Sequence, residues 1–585
     1  MKGSIFRKLM FVSVSLLLIG SFALAGCAQP ATPVATEAPP ATEAPAATEA
    51  PPTVAPPTEK PAATEAPPAT EAPAETKPAG EKTLTIAVSG DIAGWDPVSS
   101  IYWLANEVII NTHDTLVDFG EGTDAQGNPV RDITKITPRL AESWDVSEDG
   151  KTFTFHLRKN AKFNNGDPVT AAAVKASFER ILKNPGLAQF LLADIAFVKD
   201  PNQMVVEDDY TITFNLPDPN PIFLKVMYEM NMAVVNVAQI EKEGGATPEE
   251  QNEWAANHPT GSGPYVLESF EPGVQLVLKA NPYYWGDPPE FTKVIYKIVP
   301  EPQNRLLLLR NGDVDIVYEI PLKDFADLKA DPNIQAYAVP TLGTLYMLLG
   351  RNGEPWSNVK LRQAICYAIP YDTIIQEVTY GLAIPAPSWL PVGLEGFIPA
   401  SPYKYDLEKA KSLLAEAGYP DGKGLPPITF YLKQGVPEEE EAAVYIQAEL
   451  AKIGIQMDIQ PLALSAHSEK LASHEKGLFS FQFWIPYVPD PVYSLYWNYK
   501  TSESGCCNYS SYSIPEVDEL ITKALTEFDP EVRRGYVEQI QKLIAEDPPQ
   551  IALYHPTWNL AMRAGLTGYS YYPDTLLRFV DFKEK

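Results

Sequence analysis

The chain has 585 residues, 75 of them acidic and 46 basic, for a formal charge of −29. That balance argues against a nucleic-acid partner, whose phosphates would be repelled, and gives no attraction to an anionic membrane surface. At 45% hydrophobic residues the chain holds enough apolar material for a large core.

Lys2, Arg7 and Lys8 stand at the start of an apolar run over residues 9–24. The run is short for a membrane span and has the form of a secretory signal peptide. It ends in Leu24-Ala25-Gly26-Cys27, which resembles a bacterial lipobox. The resemblance implies cleavage before Cys27 and diacylation of its sulfur, and several acyl chains together give stable anchoring. Residues 28–80 are nearly all Ala, Pro, Thr and Glu, with ATEAP recurring. Such a stretch cannot bury enough apolar surface to offset the entropy of ordering, and its prolines favour an extended tether. The expected organisation is a signal peptide over 1–26, a lipidated cysteine and tether over 27–81, and a folded body over 82–585.

In the body, residues 84–88 alternate as a strand and stop at Ser89-Gly90-Asp91. TFTFHL at 152–157 alternates again after the Glu148-Asp149-Gly150 turn, predicting a hairpin return. Thr170 is placed to cap a helix over 171–180. Further strands are predicted at 210–216, 274–278, 294–299 and 455–459. Helices are predicted at 304–311, 359–369, 407–417, 439–452, 514–526 and 531–546. Strands and helices interleave along the whole body, so the class is mixed α/β. Besides Cys27 the cysteines are Cys366, on the inner face of a predicted helix, and the adjacent pair Cys506 and Cys507. The pair forms a vicinal disulfide, or one member bridges elsewhere.

The stretch LAESWDVSEDGKTFTFHLRKNAKFNNGDPVTAAAVKASFERIL resembles the hallmark segment of family 5 extracellular solute-binding proteins of ABC importers. The likeness continues in HPTGSGPYVLESFEPGVQLVLKANPYYWGD, RLLLLRNGDVDIVYEIP, PWSNVKLRQAICYAI, DLEKAKSLLAEAGY and IQAELAKIGIQMDIQ, and again near PEVDELI. It implies a two-lobed, type II periplasmic-binding-protein-like fold with an extra subdomain and a ligand cleft between the lobes. By analogy lobe I spans 82–125, 255–345 and 545–585, the subdomain 126–254, and lobe II 346–544. It also implies an ABC permease and ATPase as partners, a monomeric receptor, and a place at the periplasm or cell surface.

No motif in the sequence carries chemistry. There is no G-x-S-x-G, H-E-x-x-H or Walker spacing, and no Cys/His cluster for a metal, so neither enzyme activity nor a cofactor is expected. Asp313 and Asp315 read as a strand entered from a glycine turn, and Gly261-Ser262-Gly263-Pro264 as a turn. In peptide-binding relatives, the resemblance implies, an Asp just after a Trp in lobe II pairs with the peptide amine. Here Trp484 fits the pattern, but the aligned position is Tyr487, a phenol neutral at pH 7. Asp490 is the nearby acid that could substitute, although its pattern is that of a turn. Lys433 stands where dipeptide receptors carry an Arg for the peptide carboxylate, and lacks its bidentate fork. Aromatic residues fill the expected cleft: Tyr102 and Trp103 from lobe I, Tyr346 at the crossing, and Trp389, Trp484 and Tyr487 from lobe II. Flat rings suit peptide side chains and sugar rings alike. Peptide or oligopeptide capture is the first expectation and an oligosaccharide ligand the alternative.

Overall fold

The computed structural model describes residues 81–90, 92–100, 102–504 and 507–585. The apolar run, Cys27, the tether and Cys506 lie outside the described residues. No helix among the described residues is long and apolar enough to cross a membrane.

Two sheets organise the body. The first has seven strands, in the order Ile334–Pro340, Thr557–Arg563, Ile316–Tyr318, Thr83–Val88, Lys293–Ile298, Gln275–Ala280 and Tyr265–Glu271. Thr83–Val88 lies in its centre, parallel to both neighbours, and alternates as its sequence does. Ile86 and Ile316 pack on one face, while Ala87 and Val317 meet the helices Pro302–Asn311 and Leu322–Leu328 on the other. Asp315 is structural: its carboxylate accepts from the Thr85 amide at 2.7 Å and from Arg563 at 2.5 Å.

The second sheet has six strands, in the order Ile384–Pro385, Gln550–His555, Thr344–Leu349, Phe479–Trp484, Ile428–Lys433 and Met457–Leu462. Thr344–Leu349 and Gln550–His555 are buried at every position. Because Gln550–His555 pairs inside this sheet, the chain recrosses at Pro556, not near 545 as the sequence predicts. The two crossings are bonded to each other, the Thr341 amide and hydroxyl both donating to the Pro556 carbonyl at 3.0 and 2.9 Å.

A third, four-stranded sheet (Ala141–Val146, Thr152–Leu157, Thr211–Asn215, Met204–Asp208) carries the helix Ala171–Lys183. The Thr170 hydroxyl caps that helix by accepting from the Ala173 amide. The hairpin of Val117–Thr123 and Pro129–Pro138 straddles residue 125, so no boundary falls there. Arg180 ties the helix to the first sheet's side through two bonds to Asp96, at 2.8 and 2.6 Å.

Asp114 gathers three parts of the chain that lie far apart in sequence. Its carboxylate accepts from Arg139, from Ser262 in the GSGP turn and from the Trp285 indole, at 2.8, 2.8 and 2.9 Å. A Cβ at Gly261 would collide with the His113 ring and the Thr112 carbonyl, so that turn admits only glycine there. Cys366 is a free, buried thiol, its pKa pushed up by burial. Cys507 is disulfide-bonded.

Candidate functional site: the cleft at the lobe crossing

A cavity of about 590 Å³ opens beside the two crossings. Trp103, Glu319, Trp558 and Asn559 line it from the first lobe, and Thr341 and Pro556 from the crossings. Leu345, Lys433, Glu438, Glu439, Phe483, Ile485 and Tyr554 line it from the second.

Strand register decides which aromatic rings reach this space. Leu345 pairs with both Phe483 and Tyr554, so three neighbouring strands present one residue each to the same face. Side chains alternate across a strand. Tyr346 therefore turns the other way, is only 1% exposed, and donates its hydroxyl to the Trp389 carbonyl at 2.7 Å. Trp389, equally buried, donates to the Gln550 carbonyl at 2.7 Å. The placement of Tyr346 and Trp389 in the cleft is thus corrected: both are core of the second lobe, and neither ring can reach a ligand. The same parity sends Phe483 to the cavity and Trp484 to the opposite face.

Trp103 does line the cavity. It is the first residue of the helix Trp103–Thr112, and its indole donates to Thr575 at 2.8 Å. Its ring stands edge-on to Tyr318 at 4.9 Å and tilts against Trp558 at 5.1 Å. Beneath it the buried Glu107 accepts from Tyr296, Tyr318 and the Leu577 amide at 3.0, 3.1 and 2.9 Å. Burial raises its carboxyl to about 7 against those hydrogen bonds. This network fixes the Trp103 wall. Tyr102, next in the chain, is 40% exposed.

Lys433 is the only cationic side chain in the described cavity lining, and it is already occupied. It pairs at 2.8 Å with Glu439, which also accepts from the Lys433 amide. The acidic run after Pro437 opens the helix Pro437–Lys452, where negative charge suits the helix dipole. The cavity thus offers apolar and aromatic walls, an acidic rim and a neutralised lysine.

Trp484 and Tyr487 lie on the face turned toward the subdomain. Trp484 stacks on Tyr493 with centroids 6.4 Å apart, and its enclosed indole nitrogen has no hydrogen-bond partner among the described residues. Tyr487 is 38% exposed, and desolvation, with Glu229 and Tyr509 nearby, pushes its hydroxyl up to about 12. Asp490 is fully buried and structural. Its carboxylate caps the helix Pro491–Tyr499 through the Val492 and Tyr493 amides, and pairs with Arg533 at 2.6 Å and Lys225 at 3.4 Å. Burial alone would raise its pKa, but Arg533 and Lys225 outweigh it and hold the group at about 2. It is a turn anchor and not a substitute ligand acid.

One lining position escapes sequence reasoning: Phe483 differs from Trp484 only by register, which the sequence does not set.

Residues 135–506 match bacterial extracellular solute-binding proteins, family 5 Middle. The chain belongs to family 5. This family of solute-binding transport proteins matches well over half of the chain. A probable D,D-dipeptide-binding periplasmic protein, DdpA of Escherichia coli, is 31% identical over 443 residues, covering 75% of this chain and 83% of its own. The dipeptide-binding protein of the same organism is 27% identical, covering 83% and 92%. Among solved structures, the ABC transporter-associated periplasmic binding protein DppA of Helicobacter pylori, in complex with peptide STSA, superposes with a TM-score of 0.71. It is 27% identical and covers 86% of this chain and 98% of its own.

Proposed function

We propose that this family 5 protein captures short peptides outside the cytoplasm, in the cleft beside the lobe crossing, and delivers them to an ABC permease and its ATPase. It is a receptor and carries out no catalytic step. The single observation behind this is the cavity itself, with Trp103 facing Phe483 across about 590 Å³, in the size range of small-ligand sites. The relatives named for dipeptide binding and the peptide-bound neighbour favour peptide over oligosaccharide.

Lipid anchoring at Cys27 and a Pro-rich tether belong to the same proposal, supported by the lipobox-like Leu24-Ala25-Gly26-Cys27. Leu345, Phe483 and Tyr554 come from three strands of one lobe and Trp103 and Trp558 from the other, so closure about the crossings would bring two aromatic walls onto a ligand.

A thermal-shift screen against peptide mixtures and oligosaccharides tests the reading. A peptide at a hundredfold over its Kd adds about 2.7 kcal/mol, so the melting transition rises measurably. A rise with oligosaccharides alone would contradict peptide capture.

A further inference from the structure

The charges lining the cleft do not match a zwitterionic ligand. Lys433, its one cation among the described lining, ends the strand Ile428–Lys433. Glu439 stands six residues on, in the first turn of the helix Pro437–Lys452. One Glu439 oxygen takes the Lys433 ammonium at 2.8 Å, and the other accepts from the Lys433 amide at 3.1 Å. The turn between them is fastened again by the Gly435 amide, which donates to Glu440 at 2.9 Å. The pair is local to one lobe, so it is in place before any closure.

A ligand carboxylate reaching for Lys433 competes with an acid already tethered beside it, at high effective concentration. Displacing Glu439, only 3% exposed, would leave a buried carboxylate without its counter-charge. Two more acids line the cavity, Glu319 from the first lobe and Glu438 from the second. Neither carboxylate has a hydrogen bond or ion pair among the described residues. Around them the walls are largely apolar, with Trp103, Leu345, Phe483 and Tyr554 among them, and low-dielectric walls focus the field of a lining of one sign. Because Lys433 and Glu439 cancel, that lining is negative.

Resting on the peptide reading above, we infer that the cleft selects peptides of net positive charge. Glu439 is the specificity-determining residue, because it occupies the cation that would otherwise hold a ligand carboxylate. The favoured ligands carry a basic side chain or a C-terminus without its charge. Closure draws Glu319 and Glu438 together, and a cation between them offsets their repulsion, so the ligand's charge also favours the closed form.

The test is isothermal titration of the whole protein at pH 7 with trialanine, trialanine amide, Ala-Lys-Ala and Ala-Glu-Ala. For wild type, the amide and Ala-Lys-Ala should each bind on the order of tenfold tighter than trialanine, and at least threefold, with Ala-Glu-Ala weakest. Glu439→Gln keeps an acceptor for the Lys433 amide and frees the ammonium, so trialanine should then bind at least as tightly as its amide. Glu438→Gln, at a half-buried helix start, should shrink the advantage of Ala-Lys-Ala. Wild type that binds trialanine within threefold of its amide, or tighter, would overturn the inference and leave peptide capture standing; that comparison needs no variant to fold. So would an acid-to-amide ratio unchanged in Glu439→Gln. Failure of all four peptides to bind wild type would instead sink the peptide reading, and this inference with it.

Discussion

Asp490 and Glu229 lie on opposite sides of one junction, both buried, and their carboxyl groups are driven in opposite directions. Asp490 is held at about 2 and Glu229 is raised to about 8. Burial pushes both upward. Asp490 also has a guanidinium, an ammonium and two amides at a helix start, whereas Glu229 has one amide and the repulsion of Asp574. Desolvation sets the baseline, and the supply of partners sets the charge. One carboxyl is held charged by its partners; the other, with few, keeps its proton.

The largest expected effect comes from taking Asp490's partner away. Arg533→Met leaves a buried acid short of its closest counter-charge and should lower stability by about 3–5 kcal/mol in urea unfolding. A folded pKa below the unfolded value means the contribution is present above about pH 4 and is lost as pH falls toward 2. The gap between wild type and Asp490→Asn should therefore narrow over that window. A gap independent of pH would break the comparison.

Glu229 has the opposite sign. Its folded pKa lies above the unfolded value, so the folded state binds the extra proton, and stability falls as pH rises from about 4.5 through 8. In the ligand-free protein, Glu229→Gln should be more stable than wild type at pH 8, by about 4 kcal/mol, and nearly equal to it near pH 4.5. Melting curves at the two pH values check this. A loss of stability at pH 8 would mean the carboxylate has a cation partner after all. The smallest effect belongs to Lys225→Met. The lysine is 3.4 Å from Asp490, and Arg533 remains, so about 1 kcal/mol is expected in the same unfolding assay.

Much of the fold was legible in the sequence because amphipathic helices announce themselves. Residues 407–417, 439–452, 514–526 and 531–546 were predicted as helices, and the structure has Leu407–Glu416, Pro437–Lys452, Pro515–Thr526 and Pro530–Glu546. Their apolar stripes and their Asp or Pro starts are local signals. The centre of the second sheet was not legible. Thr344–Leu349 and Gln550–His555 are buried on both faces, so no polar alternation marks them, and the recrossing was placed too early. The site was half legible for the same reason. Trp103 was placed by the family resemblance, which puts the cleft after the first strand, but choosing Phe483 over Trp484, or Leu345 over Tyr346, requires a register that only long-range pairing provides. Asp490 looked like both a turn residue and a ligand acid, and Arg533, 43 residues on, decides for the turn.

The central claim, peptide capture between Trp103 and Phe483, is tested most directly by a crystal structure of the protein grown with trialanine. The account predicts peptide density in the cavity beside Thr341 and Pro556, between Trp103 and Phe483. A cavity holding no peptide when the protein is saturated in solution, or peptide bound away from both lobes' aromatic walls, would contradict it.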